Sequence, residues 1–200
     1  MNPLSKILLI DTATKYIYLS LVVDNLEKQF VYQEGINNHS VTIIPMLSDI
    51  LKKENITLQD LDEVIIGIGP GSYTGVRIGV TVAKMIGYLN HIKVSMVSSL
   101  AIIASASNSE YILPYIDARR GNAFMGLYRL RDGILERIED DCLENIETFK
   151  NMHKMKYDFK AEGKPKIAYL LGSNLLEEVQ NIHELKPNYL QITEAERNRS

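Results

Sequence analysis

The chain has 200 residues, 46% hydrophobic and 24% charged, enough for one substantial domain or two small ones with modest cores. Its net charge of −3 argues against unaided binding to nucleic acid, which needs a basic face, so any RNA contact would call for a partner. No apolar run approaches a membrane span and the single cysteine, Cys142, excludes an intrachain disulfide framework, so the expected setting is a reducing cytoplasm.

In chain order, Ile7 to Ile10 reads as a buried strand that ends in Asp11, and Thr12 to Lys15 as a polar turn. That apolar run is too short and wrongly flanked for a signal peptide. Tyr16 to Val23 is a second strand, Asp24-Asn25 a turn signal and Lys28 to Gln33 a third strand. From Asn38 the period becomes helical, with Ile43, Met46, Leu47, Ile50 and Leu51 on one stripe and Pro45 near the first turns or at a kink. Thr57 to Leu61 is a capped turn leading into a strand over Val64 to Ile66.

That strand is stopped by Gly67, Gly69, Pro70 and Gly71, and Ser72 offers the side-chain oxygen of a helix N-cap. Thr74 completes the turn region, and the helix runs to Tyr88. A strand, a glycine-rich turn and a helix start suit an anion, yet the same glycines serve equally to turn the chain sharply and pack it closely. No Lys-Ser or Lys-Thr follows the last glycine, so this is not the P-loop pattern.

Along the helix, Gly75, Gly79, Ala83 and Gly87 recur every fourth residue as a stripe without bulk, where another backbone could lie close. Val76, Ile78, Val80, Val82, Met85 and Ile86 occupy the other faces, and only Arg77, Thr81 and Lys84 are clearly polar. A helix apolar on nearly every side must be covered on nearly every side, by its own fold or by a second protein.

Ile92 to Val97 is the next strand, and Ser98 or Ser99 caps a helix over Leu100 to Ala106. Asn108 and Ser109 mark a boundary, giving a first lobe over 1–107 and a smaller second lobe over 108–200. The pattern then restarts. Leu113 to Asp117 is again a strand ending in Asp, followed by the turn Arg119 to Asn122, a strand over Ala123 to Leu130, Asp132-Gly133 and a strand over Ile134 to Glu139. A helix near Leu143 to Met155, a charged loop to Pro165, a strand over Ile167 to Leu171 and a helix after Ser173 complete it.

Two βββαβα halves, each opening on a strand that ends in Asp, follow the α/β plan of the actin, sugar-kinase and Hsp70 (ASKHA) superfamily, here with a reduced second lobe. In that plan a nucleotide sits between the lobes on glycine-containing turns. Here neither Asp11 nor Asp117 has a glycine beside it, which argues against ATP. The two aspartates could face one another as general acid and base, or each could cap its own turn. His39, His91, His153 and His183 are scattered without i, i+4 spacing, so no metal site is expected. Cys142 stands beside Asp140 and Asp141, whose charge disfavours a thiolate.

The most specific stretches are Ile10-Asp11-Thr12, His39-Ser40, Ile44-Pro45-Met46, Gly69 to Gly79, Ile116-Asp117-Ala118-Arg119 and Pro187-Asn188-Tyr189-Leu190. In these the chain resembles the TsaB, or YeaZ, family of tRNA threonylcarbamoyladenosine (t6A) modification over nearly its whole length. The resemblance implies an inactive relative of TsaD, the subunit that transfers the threonylcarbamoyl group to adenosine 37 of tRNAs reading ANN codons. TsaD-like chains carry a histidine pair just after the strand that here is Ile92 to Val97, where this chain has Ser98-Ser99-Leu100. It also implies pairing with a TsaD-like catalytic subunit, a homodimer when alone, a TsaE-like ATPase in the larger assembly, tRNA contact only through the complex, no membrane and no cofactor. The expected interface comprises Ile43, Met46, Leu47, Ile50, Gly75, Ile78, Gly79, Val82 and Met85. Gln191 stands where the family usually has Arg after the Tyr-Leu pair.

The alternative is a small ATP-dependent phosphotransferase using the cleft with Asp11 or Asp117 as base. A peptidase, an activity with which the family has been labelled, would need a nucleophile paired with a base or a metal triad, and the sequence offers neither.

Overall fold

A computed structural model describes residues 5–35 and 39–190, so Asn38 and Gln191 lie outside the described residues. Strands β1 (Lys6–Asp11), β2 (Tyr16–Val23) and β3 (Leu26–Glu34) form an antiparallel meander. Asp24 and Asn25 turn between β2 and β3 with φ of 56° and 61°, the left-handed pair that matches strand twist. Leu8, Leu9 and Ile10 are all buried, as a strand covered on both faces requires. β3 instead alternates exposed and half-buried residues, as fits a sheet edge.

Helix α1 (His39–Lys53) leads through a 3-10 turn at Leu58–Asp60 to β4 (Glu63–Gly67), helix α2 (Tyr73–Asn90), β5 (Lys93–Val97) and α3 (Ser99–Ala104). β4 lies parallel to β1 and β5 parallel to β4. Alternation along these strands divides the core. Leu8, Ile10, Val64 and Ile66 pack against α1 and α2, while Leu9 and Ile65 pack against α3.

The second sheet contains β6 (Tyr111–Asp117), β7 (Asn122–Arg131), β8 (Ile134–Asn145) and β9 (Asp158–Lys160), in the order β8-β7-β6-β9. With β9 parallel to β6, this repeats the order β3-β2-β1-β4 of the first sheet. Its Ile112, Phe124, Tyr128 and Leu135 share a core with α3, so that helix is packed between the two sheets. Among the described residues the second sheet has no counterpart of β5. The chain instead returns as β10 (Glu177–Glu178), antiparallel to β5 at the edge of the first sheet.

The second half departs from the sequence reading at four places. β8 continues to Asn145, and Asn145 Oδ1 accepts the N–H groups of Glu147 and Thr148, so helix α4 covers only Ile146–Met152. β9, three residues with two charges, lacks the alternation that would reveal it. Ile167 to Leu171, expected as a strand, holds the one-turn helix α5 (Ala168–Leu171), because a short apolar run fits either state. After Ser173 comes β10 rather than a helix, then a 3-10 turn at Ile182–Glu184.

Candidate functional site

The glycine-rich turn after β4 is closed by the chain itself. The Asp11 carboxylate lies where a Gly67 side chain would project, only 2.1 Å from an added Cβ, so glycine is required there. Ser99 Oγ donates to Asp11 Oδ1 at 2.6 Å and accepts the Gly69 N–H at 3.0 Å, and the Ser99 N–H donates to the Gly69 carbonyl at 2.9 Å. Burial pushes the Asp11 carboxyl up to about 6, against hydrogen bonds from Ser99 and the Ala13 and Thr12 N–H groups that pull it down. At the start of α2, the Ser72 N–H donates to the Ala13 carbonyl at 2.7 Å and the Gly75 N–H to Ser72 Oγ at 3.2 Å. A Cβ on Gly71 would stand 2.3 Å from that Ala13 carbonyl oxygen. The N–H groups of Gly69, Ser72 and Gly75 are all taken by the chain itself, and Gly69, Pro70, Gly71 and Ser72 make a tight packed turn, with Thr74 exposed beside it.

The crevice beside Asp11 is filled with aromatic rings. Tyr16 and Tyr32 stack at 4.5 Å, the Gly163 N–H donates to Tyr32 Oη at 2.9 Å, and Lys15 pairs with Glu162 at 3.4 Å. A space of about 10 Å³ remains, the volume of one water rather than a nucleotide. Asp117 is exposed, and its Oδ1 accepts the Arg119 N–H at 2.8 Å as a turn cap. The reading of Asp11 and Asp117 as a catalytic pair therefore gives way to two carboxylates with separate structural partners.

A second buried carboxylate at this turn is Asp141, which the sequence reading used only as a neighbour of Cys142. Ser98 Oγ bonds Asp141 Oδ2, and Tyr128 Oη donates to Oδ1 at 2.7 Å. Ser98 adjoins Ser99, the partner of Asp11, so consecutive serines tie β1 to β8. Burial raises the Asp141 carboxyl, against hydrogen bonds from Ser98 and Tyr128. The overlooked signal was Gly126 inside β7, where a Cβ would stand 2.5 Å from Asp141 Oδ1. The Cys142 thiol is pushed up by burial and by Glu144, Asp141 and Glu139, so its environment disfavours the thiolate.

The small-residue stripe of α2 is filled from within the chain, contrary to the expectation that a second protein lies there. A Cβ on Gly75 would stand 2.1 Å from the Thr12 carbonyl oxygen and one on Gly79 2.5 Å from Thr12 Oγ1. Thr12 Oγ1 donates to the Gly75 carbonyl at 2.7 Å. Ile43, Leu47, Ile50 and Val82 are also buried in the first-lobe core. Met46 and Ile78 are half-buried, and Met85 alone among the nine expected interface residues is fully outward, at 55% exposure.

The cover that the sequence reading lacked is the segment after β10. Ile182 and Leu185 join the α2 core, and Lys84 Nζ donates to the carbonyls of His183 at 3.0 Å and Leu185 at 3.3 Å. At the other end of α2, Tyr189 stacks on Tyr73 at 4.9 Å and accepts from Arg77 Nε at 2.6 Å. The Asn188 N–H meanwhile donates to the Ile68 carbonyl at 2.7 Å. Residues 181–190 thus form a strap along α2.

One apolar face stays open. A groove of about 400 Å³ runs between α1, α2 and the Leu58–Asp60 turn, walled by Ile44, Ile56, Leu58, Met85 and Leu89 over a floor that includes Leu47 and Val82. Ile44, Met85 and Leu89 are 53%, 55% and 67% exposed. Solvent-facing apolar residues gathered this way mark an interaction surface more often than chance. Among the described residues no group of three His, Cys, Asp or Glu side chains could hold a metal, and no helix is long and apolar enough to cross a membrane.

These features define a two-lobed protein of the actin and sugar-kinase superfamily in which tyrosine rings fill the space beside Asp11. Residues 23–187 match the family model described as TsaD: tRNA N6-adenosine threonylcarbamoyltransferase. The chain is similar to the tRNA threonylcarbamoyladenosine biosynthesis protein TsaB of Bacillus subtilis, 31% identical with 95% of this chain and 96% of that protein covered. It is similar also to TsaB of Buchnera aphidicola subsp. Schizaphis graminum, 30% identical over 75% of this chain and 72% of that protein. In fold it resembles YeaZ from Pseudomonas aeruginosa, with a TM-score of 0.76, 24% identity, and 93% and 100% of the two chains covered. The chain belongs to the TsaB (YeaZ) family.

Proposed function

We propose that this protein is a non-catalytic subunit of the machinery that makes t6A, serving as the dimerisation partner of a TsaD-like catalytic subunit. The observation that carries the reading is the exposed apolar groove between α1 and α2, together with a space beside Asp11 that has room for one water. A chain that shares the family model of the transferase yet fills its own crevice with tyrosines is suited to holding a related chain rather than to turning over substrate. The partner sits on Ile44, Met85 and Leu89, over a groove floor that includes Leu47 and Val82. In its absence a second copy of this chain covers the same face. A TsaE-like ATPase joins the larger assembly, and tRNA is met only through the complex.

Glutamates at Met85 and Leu89 probe the proposal, because both side chains are exposed and their replacement leaves the core intact. Co-expression of the double variant with the TsaD-like subunit from the same cell should give a folded chain that no longer co-purifies. Undiminished co-purification would remove the groove from the interface. The second reading, a phosphotransferase acting through Asp11, requires ATP beside the Tyr16 and Tyr32 stack, and a titration with magnesium-ATP distinguishes the two.

A further inference from the structure

The carboxyl ends of β4 and β5 open into a cavity of about 310 Å³. Open α/β sheets hold ligands outside the carboxyl ends of their parallel strands, and here the space is closed by β8, by β10 and by the end of the strap at Asn188 and Leu190. A second, shallower space of about 630 Å³ adjoins it, sharing Arg137, Asp140, Leu175 and Glu177 as walls.

Two charges on these shared walls are open to a ligand. Arg137 is half-buried, its Nε has neither accessible surface nor an acceptor, and its one hydrogen bond is a 3.5 Å contact from Nη1 to Asp140. A buried Nε–H without an acceptor is costly, and such a donor is ordinarily satisfied by a partner. The Glu177 side chain, on the same shared walls, is exposed and makes no hydrogen bond or ion pair among the described residues. The Asp141 carboxylate accepts from Ser98 and Tyr128 and adds to the negative charge around Arg137. Arg137 thus stands with Asp140, Asp141 and Glu177 around it, so a simple anion meets net negative charge and a simple cation leaves the guanidinium unmet. A molecule carrying both charges satisfies Arg137 and Glu177 together.

We infer that this crevice binds a small zwitterion of the α-amino-acid class, its carboxylate on the Arg137 guanidinium, its ammonium toward Glu177 and Asp140, and its side chain against Ile68, Met96 and Leu175. The planar fork of arginine matches a carboxylate in two places, which a neutral oxygen does not exploit. This inference is independent of the partner proposed for the α1 and α2 groove.

Titration of the full chain by NMR or calorimetry with the twenty α-amino acids tests it, each binder being compared with its analogues lacking the amine or the carboxylate. For L-valine these are isovalerate and isobutylamine. At least one amino acid should saturate below about 10 mM, with both analogues about tenfold weaker or worse. Arg137→Met should abolish that binding, Glu177→Gln should weaken it severalfold, and Arg131→Met, on the exposed hairpin turn, should leave it unchanged. Melting of each variant shows whether it is folded; if Arg137→Met is not, Glu177→Gln alone decides. Absence of saturation by any amino acid, equal binding of either analogue, or full binding by the folded variants would overturn the assignment.

Discussion

Asp11 and Gly75 each hold a close contact around the turn from β4 into α2. Asp11 has its carboxyl raised from 3.8 to about 6 chiefly by burial, so the folded state favours its protonated form. Its contribution is therefore greatest below about pH 4 and is lost as pH rises through about 6, by about 2–3 kcal/mol in total. Urea denaturation of the wild type and Asp11→Asn across that range should show the wild type losing about that much relative to the variant, whose amide does not titrate. A difference independent of pH would mean that Asp11 does not titrate in this window. Gly75 faces the Thr12 backbone, which has no rotamer by which to retreat. Gly75→Ala should cost at least about 2 kcal/mol in the same assay, through displacement of the β1 turn. A neutral substitution would show that the helix can slide away from Thr12.

Among the elements, the strap is the part whose effect on α2 is most open to measurement. Tyr189 holds its end by a ring stack on Tyr73 and a hydrogen bond from Arg77, whose guanidinium lies 4.0 Å from the Tyr73 ring centroid. Tyr189→Ala should lower stability by about 1–2 kcal/mol and speed amide exchange over 181–190, while β1 and β4 keep their protection. Unchanged exchange there would place the anchor elsewhere, at Lys84 or Asn188. This segment also explains where reading the sequence fell short. The first lobe was legible because its strands are β-branched runs bounded by turn residues and its helices are long and periodic. The strap has no period, since it lies along a neighbour by single contacts such as Leu185 and Tyr189. A row of glycines shows that some backbone comes close, but Gly75 and Gly79 do not say whose, and the answer was Thr12 of the same chain. Asp141 was hidden for a related reason, because only the pairing of β7 with β8 sets it against Gly126 and Tyr128.

Across the whole molecule, two copies of one βββαβ plan enclose α3, and the second copy gives up its last strand position while the chain returns to extend the first sheet. That return fixes β10 and the strap on the first lobe and leaves the α1 and α2 groove as the open apolar face. The tyrosine-filled crevice predicts that magnesium-ATP at about 1 mM gives no heat beyond dilution with the isolated chain. Saturable heat there would restore the phosphotransferase reading. The most direct test of the central claim is the binding of this chain to the TsaD-like subunit of its own cell, measured by sedimentation with wild type and with Met85→Glu/Leu89→Glu. The account predicts a one-to-one complex for the wild type and affinity at least about tenfold lower for the variant, with the same melting temperature for the two isolated chains. Equal affinity of the folded variant, or no complex with the wild type, would contradict it.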